Sequence, residues 1–371
     1  MLRLRTDLIA NKRLISLSSS SCFRSTAPIH EGTKHVSARR CRVYQSRRQE
    51  RFQLPVDAVI YRERGLSVKN LKYVLSIPGD TMYLRAQAAA AQASADRLGV
   101  ELEVLSAEMD PVAQGQQLLS LVHSRTSRRL DGILVEPVSA AGLPRVAEAA
   151  VAAGVAWVVS NAQVDYVQTL RRNTKVPVFQ VSQDHLEVGR IQGKQIGTIL
   201  PQGGCVLYLR GPAMSWWATK RFEGLENTRP KNVEVKSLRA VGSTSENAYN
   251  AVCSWLSLSK PRSEGTQLIV SQNIDFILGA RKAFETYTSE NERIKWLALP
   301  RAAVGVANRV RPLVDQGDLR AAVMTSLTMD RAVEMLVRAM TDGLHPPEHT
   351  FVEAHSYPSL DELAKRWHAR L

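Results

Sequence analysis

From Lys69 onward, short runs of Val, Ile and Leu alternate with longer stretches whose apolar residues recur every three or four positions. The runs are LKYVLSI (71–77), VELEVL (100–105), GILV (132–135), VAWVVS (155–160), VPVFQVS (176–182), CVLYLR (205–210), VEVKSL (233–238), QLIVS (267–271), KWLAL (295–299) and LRAAVM (319–324). Strands that are apolar throughout, rather than at every second residue, are covered on both faces. With helix-length segments between them they predict α/β architecture with parallel sheets. The intervening segments carry helix punctuation. AAAAQASADRLG closes at Gly99, Asp110 and Pro111 open DPVAQGQQLLSLVHS, and AAGLPRVAEAAVAAG ends at Gly154.

Ten strands exceed one comfortable doubly wound sheet, so the pattern predicts two Rossmann-like lobes, each a parallel sheet flanked by helices. Beyond LRAAVM comes an amphipathic helix, TMDRAVEMLVRAMTDG (328–343), and then HPPEHTFVEA. These later elements predict that the chain returns to the first lobe and crosses again. The expected division is 69–178 plus about 326–346 for the first lobe, and 179–325 plus about 347–371 for the second. Several crossings form a multi-strand hinge, and a hinge between α/β lobes makes a cleft.

Charge changes the picture only at the N-terminus. Of the net charge of +14, residues 1–67 carry +9 (14 Lys and Arg against 5 Asp and Glu), whereas residues 68–371 carry +5 (35 against 30). The basic segment is rich in Ser and Arg and lacks apolar periodicity, which predicts a disordered arm, while the nearly balanced body removes the nucleic-acid signature, so no nucleic-acid partner is expected. Lys12 and Arg13 interrupt the one candidate for a signal core, and LISLSSSSCF is too polar for one. An extended translation start, with the protein proper beginning near Val68, is an alternative origin for the arm, as is a transit-like or nucleic-acid-binding segment. No apolar run reaches the roughly 18 to 20 residues of a membrane helix. Cys22, Cys41, Cys205 and Cys253 show no CxxC spacing and read as thiols. His345 and His349 are four apart, but Pro346 and Pro347 between them argue against a metal-binding helix.

The order of segments resembles the type I periplasmic solute-binding proteins, the sugar binders that feed ABC importers or chemoreceptors. VLSIPGDTMYLRAQAAAAQASADRLGVELEVLSAEMDPVAQGQQLLSLV, RLDGILVEPVSAAGLPRVAEAAVAAGVAWVVSN, VSQDHLEVGRIQG, VLYLRGPAMSWWATKRFEGL and VSQNIDFILGARKAF carry the resemblance, which spans residues 69–371. It implies a non-enzymatic, monomeric protein that closes on a sugar-like small molecule, without a cofactor, in the periplasm or cell envelope. A cytoplasmic ligand sensor is the alternative, because a convincing signal is missing. LacI-like repressors share the core, but residues 1–67 lack the helix pair of their DNA-binding module.

In such clefts aromatic faces cover the sugar ring, and Asp, Asn and Arg hold its hydroxyls. The resemblance places an Asn and two aromatics after the first strand, where this chain has Asp80, Met82 and Tyr83. Its Asp-Arg after the fourth strand corresponds to Asn161 and Ala162, and its later Asn to Asn273. Another family aspartate falls on Ala307, and a Gln falls near Thr325. The expected cleft is poor in acids and suits a less hydroxyl-dense, partly apolar or anionic solute.

In SWWATKRFEGL the family's sugar-binding Arg falls on Arg221, with Trp217 one helical turn earlier. A helix here predicts a buried stripe of Met214, Ala218, Phe222 and Leu225. It also predicts Trp217 toward the ligand, and Trp216 on the outer face with Lys220 and Glu223. Both Trp could instead merely pack between lobes. Asp110, Glu136 and Asp184 sit at strand ends and read as caps or polar ends. GxSxG, GxGxxG after the first strand, a Walker sequence and HExxH are all missing from the chain.

Overall fold

The computed structural model describes residues 71–124, 129–139, 141–258 and 265–368. The basic arm, with Cys22 and Cys41, lies outside the described residues.

Two six-stranded sheets organise the chain. The first contains β1 (Lys72–Ile77), β2 (Glu101–Ser106), β3 (Gly132–Val135), β4 (Ala156–Ser160), β5 (Val178–Gln183) and β11 (His349–Val352). The second contains β6 (Gly204–Arg210), β7 (Val233–Arg239), β8 (Thr266–Ser271), β9 (Arg301–Val306), β10 (Ala321–Thr325) and β12 (Ala354–Tyr357). Their orders are β11-β5-β4-β3-β1-β2 and β12-β10-β9-β8-β6-β7, the same winding twice. All pairings are parallel except β12 against β10. The fold is therefore two parallel-dominated α/β lobes, as the apolar runs predicted.

Burial explains the composition of the strands. β3, β4, β5 and β10 are buried at every position, whereas β2 and β7, at the sheet edges, expose much of their length and carry Glu, Lys and Arg. In the first lobe α1 (Met82–Leu98) and α11 (Met329–Asp342) cover one face through Leu84, Ala91, Ala95, Val333 and Leu336. α2 (Pro111–His123), α3 (Pro144–Ala152) and α4 (Tyr166–Arg172) cover the other. In the second lobe α5 (His185–Ile199), α6 (Trp216–Thr228) and α12 (Leu360–His368) oppose α7 (Ser245–Leu258), α8 (Ile274–Tyr287), α9 (Glu290–Ala298) and α10 (Ala307–Asp315).

Helix ends follow the expected chemistry. The Asp110 carboxylate accepts from the backbone N–H groups of Val112 and Ala113 and opens α2, and Gly99 closes α1 at φ 72°. One predicted strand is a helix. KWLAL lies in α9 and the residue after it, where the Glu292 carboxylate accepts from the Ser289 N–H and hydroxyl. Trp296 there stacks 4.7 Å from Phe284. Its apolar residues are a helical core stripe, and the neighbouring strand β9 is RAAVGV, too small-sided to stand out.

The chain passes between lobes three times: after Gln183, after Thr325, and between Val352 and Ala354. The predicted division at 178/179 falls after the first residue of β5, which belongs whole to the first sheet. Residues 349–352, assigned by sequence to the second lobe, also pair with β5 there. Only from Ala354 does the terminal segment join the second sheet.

Helices α5 and α6 approach so closely that glycine is required. A Cβ at Gly224 would overlap the Leu186 carbonyl, and one at Gly189 the Arg221 carbonyl. Both obstacles are backbone, so the helices must separate to accept a methyl. Gly224→Ala is expected to lower stability by about 1–3 kcal/mol, read as a lower urea midpoint at unchanged slope.

Candidate functional site

Parallel strands bring the loops that follow them to one end of each sheet. In this chain those loops carry Asp80 to Tyr83 after β1, Glu136 after β3, Asn161 after β4 and Gln183 at the end of β5. The second lobe contributes Trp216 to Arg221 after β6, Gln272 and Asn273 after β8, and Thr325 at the end of β10.

At the centre lies Arg221, 7% exposed. Its Nη2 donates to Gln183 Oε1 (2.8 Å), its Nη1 to the Gln272 carbonyl, and its Nε to His185 Nδ1 (3.3 Å). Burial pulls its pKa down to about 10, so the group stays cationic at neutral pH. A guanidinium has five N–H groups; three are engaged and two remain.

Gln183 carries this contact into the first lobe. Its Nε2 donates to Tyr83 Oη (3.1 Å) and to the Ser326 carbonyl (3.2 Å) on the second crossing. Tyr83 Oη also accepts from Gln87 Nε2 (2.6 Å). Gln87 in turn donates to Thr328 Oγ1 (3.0 Å), accepts from the N–H groups of Thr328 and Met329, and so ties α1 to the start of α11. Thr328 Oγ1 lies 2.7 Å from Ser160 Oγ.

Around this network are buried polar atoms without partners: Glu136 Oε2, Asn161 Oδ1, Asp330 Oδ1 and His185 Nε2. Asn161 sits at φ 55°, a left-handed conformation that Asn tolerates better than most residues, and its Nδ2 donates to Glu136 Oε1 at 3.0 Å. Burial is the main reason the Glu136 carboxyl rises to about 7, with the Asn161 hydrogen bond opposing it. Asp330 is raised for the same principal reason, burial. His185, 2% exposed, is pushed well below its usual range by burial and then by the Arg221 charge, which keeps it neutral. Because Nδ1 accepts from Arg221, the ring proton belongs on Nε2, an unpaired donor. Buried polar groups are nearly always satisfied; of the nine unpaired side-chain atoms among the described residues, these four gather around the network and make it the candidate site.

Seven of the eight sequence candidates fall into three groups, and Trp217 stands apart. Tyr83, Asn161 and Arg221 belong to or border the network. Asp80 and Met82 lie on the exposed rim, Asp80 paired with Arg85 at 2.6 Å and Met82 63% exposed. Asn273 and Thr325 hold structural positions: Asn273 Oδ1 accepts from the Phe276 N–H as the cap of α8, and Thr325 is buried beside β12. Trp217 is half-buried against the second-lobe core, its ring against Gly211 and 5.1 Å from the Arg221 guanidinium carbon.

Two details of the predicted helix differ. Met214 precedes α6 and is 97% exposed instead of joining a buried stripe, and Trp216 lies edge-on to His185, ring centres 5.1 Å apart, instead of on the outer face. The helix starts at Trp216, capped by Ser215. Position 214 therefore has no helical phase, and the first-turn Trp216 turns toward α5.

Sequence reasoning missed Gln87, Glu136, Gln183, His185, Gln272 and Asp330. A signal for two of them exists: VSQD (181–184) and VSQN (270–273) repeat the same strand end in both lobes. Each ends in the cap of the next helix, and each Gln, through its side chain or carbonyl, meets Arg221.

A separate depression of about 340 Å³ lies at the other ends of β1, β3 and β4, beside Lys72, Leu121, Arg129 and Val155. Its cations are already engaged, Lys72 with Glu103 at 3.5 Å and Arg129 with the carbonyls of Ala153 and Gly154.

Two α/β lobes with three crossings and unpaired polar groups at their strand ends define a hinged ligand-binding protein. Residues 72–343 match the periplasmic binding protein domain, and the chain belongs to that family, whose members bind solutes and are not enzymes. Solved structures agree in fold. An ABC transporter periplasmic solute-binding protein from Actinobacillus succinogenes 130z with bound D-allose has 15% identity and a TM-score of 0.66, covering 80% of this chain and 100% of its own. A solute-binding protein from Bacillus halodurans C-125 with bound myo-inositol has 17% identity and 0.65, covering 81% and 98%. One from Mycobacterium smegmatis with bound glycerol has 21% and 0.63, covering 80% and 96%. No curated protein sequence matches this chain.

The raised Glu136 pKa has a consequence for stability. Between the ordinary value of 4.5 and about 7 the native state holds a proton that the unfolded chain has released. The Glu136 contribution to stability is therefore greatest below pH 4.5 and is lost as pH rises through about 7. Glu136→Gln is expected to flatten that fall, measured as urea midpoints of the unliganded protein across this range.

Proposed function

We propose that the protein captures a sugar or polyol between its lobes and delivers it to an ABC permease of the cell envelope. One observation carries this reading: Arg221, two of its N–H groups uncommitted, is joined through Gln183 to Tyr83 of the opposite lobe, amid the unpaired atoms of Glu136, Asn161, Asp330 and His185. Hydroxyls donate and accept at once, so a polyol suits a surface that offers both unmet acceptors and unmet donors. The allose, myo-inositol and glycerol named for proteins of the same fold support that class of solute.

Closure is the expected response. A solute that touches both lobes binds the closed form better and shifts the population toward it. The closed outer surface is then what a permease distinguishes from the open one. In this role Tyr83, Asn161 and Arg221 contact the solute, Trp217 backs Arg221, and Asp80 and Met82 lie at the rim.

The test is a ligand screen by thermal unfolding with pentoses, hexoses, cyclitols and glycerol, and with amino acids and nucleosides as controls. A solute at 100 times its Kd adds about 2.7 kcal/mol, a shift of roughly 5 °C for a protein of this size. Stabilisation by the controls alone would remove the carbohydrate assignment. For the solute that binds, Arg221→Lys keeps the charge and loses the planar fork, and is expected to weaken Kd about tenfold or more; an unchanged Kd by calorimetry would remove Arg221 from the site.

A further inference from the structure

Resting on the sugar or polyol assignment, the site also specifies the charge of its solute. Of the unpaired atoms around the network, those from the first lobe are all acceptors: Glu136 Oε2, Asn161 Oδ1 and Asp330 Oδ1. Two of the three belong to carboxyls. Among the described residues neither carboxyl has a Lys or Arg within ion-pair distance. The one hydrogen bond to the Glu136 side chain comes from the neutral amide of Asn161.

The charged groups that meet here come from both lobes. Tyr83, on α1, feels Glu136 from the end of β3, Asp330 from the first turn of α11, and Arg221 from α6. His185, on α5, is neutral and adds no charge. Asp330 feels Arg331 beside it and Glu334 on the same helix, whereas burial and the Asn161 hydrogen bond alone act on Glu136. Three of the Arg221 N–H groups are already held, one by Gln183 of the first lobe and two by Gln272 and His185 of the second. Glu136 Oε2 therefore has neither a donor nor a counter-cation among the described residues, and Asn161 Oδ1 and Asp330 Oδ1 have no donor.

Sugar hydroxyls can supply donors but no charge. A protonated amine supplies three N–H donors and one positive charge from a single atom, with no acceptor that would go unmet against carboxylate oxygens. We propose that the solute is an amino-bearing polyol, an amino sugar or aminocyclitol, whose ammonium is seated by Glu136 Oε2 and Asn161 Oδ1, with Asp330 as the second carboxylate. Glu136 is then the residue that determines specificity. Asn161 holds it in place through the 3.0 Å hydrogen bond, and the left-handed backbone of Asn161 sets where its own oxygen points. The high pKa of Glu136 in the unliganded protein fits an acid that waits for a cation: burial keeps the proton on, and a bound ammonium favours its release.

Calorimetry on the full chain at pH 7 tests this with matched pairs: glucose and glucosamine, galactose and galactosamine, myo-inositol and its monoamino derivative. For at least one pair the amino member is expected to bind about tenfold or more tightly than its neutral parent, as a charge-assisted contact in a partly buried site implies. In Glu136→Gln that ratio is expected to fall to within about threefold, and Asp330→Asn is expected to lower it less. Circular dichroism and a cooperative unfolding transition establish that each variant is folded. If Glu136→Gln fails to fold, the Asp330→Asn ratio and the wild-type preference decide. Neutral members that bind as tightly as their amines, or a preference that persists in folded Glu136→Gln, would overturn the inference and leave the sugar or polyol reading standing. Absence of binding by every pair would overturn both.

Discussion

The amide of Gln183 is the contact on which the arrangement of the lobes turns. It sits on the last residue of β5, the point where the chain first leaves the first sheet. From there its oxygen takes a hydrogen bond from Arg221, and its nitrogen gives hydrogen bonds to Tyr83 and to the Ser326 carbonyl on the second crossing. A primary amide is one of the few side chains that can do both at once. Glutamate at this position would accept from Arg221 but could not donate to Tyr83 or Ser326, and an apolar residue would leave a buried guanidinium short of a partner. The cost of an unpaired buried charge is among the largest in a fold. The lobe that supplies Arg221 and the lobe that supplies Tyr83 are thereby held to a common reference.

That dependence shapes the chemistry around it. Arg221 remains charged while nearly inaccessible because two backbone or amide oxygens and a neutral imidazole surround it. Its charge in turn depresses His185, whose ring is already penalised by burial. On the opposite side the Glu136 carboxyl has a single hydrogen bond, from Asn161, and burial raises its pKa. One site thus contains a cation with three hydrogen-bond partners and an acid with one. Burial disfavours the charged form of both groups, and the difference between them is the number of partners each has.

Most of the architecture was legible in the residues. Apolar runs located nine of the twelve strands, and Asp110, Gly99 and Gly343 marked helix ends through local chemistry. The failures have physical causes. β9 is Ala- and Gly-rich, so its burial comes from neighbours and not from its own hydrophobicity. β11 and β12 are four-residue edge strands defined by what they pair with. The site was less legible. Arg221 was found because a resemblance supplied its position, whereas Glu136 was passed over as a polar strand end. Sequence led to a cleft poor in acids, but the fold returns Glu136 and Asp330 to it from segments 194 positions apart. Such a site exists only after two crossings have been made.

The three crossings have a mechanical consequence. β5 and β11 are neighbours at one edge of the first sheet, and β10 and β12 are neighbours at one edge of the second. The chain therefore passes between sheets along a single margin, in strands side by side, the last pass made by Glu353 alone between β11 and β12. Parallel connections along a line behave like the leaf of a door. Rotation about the line is soft, while twisting or sliding must stretch one connection against another. The relative motion of the sheets is thus reduced to nearly one coordinate. A small molecule that spans the gap needs to fix only that coordinate to fix the shape of the whole pair.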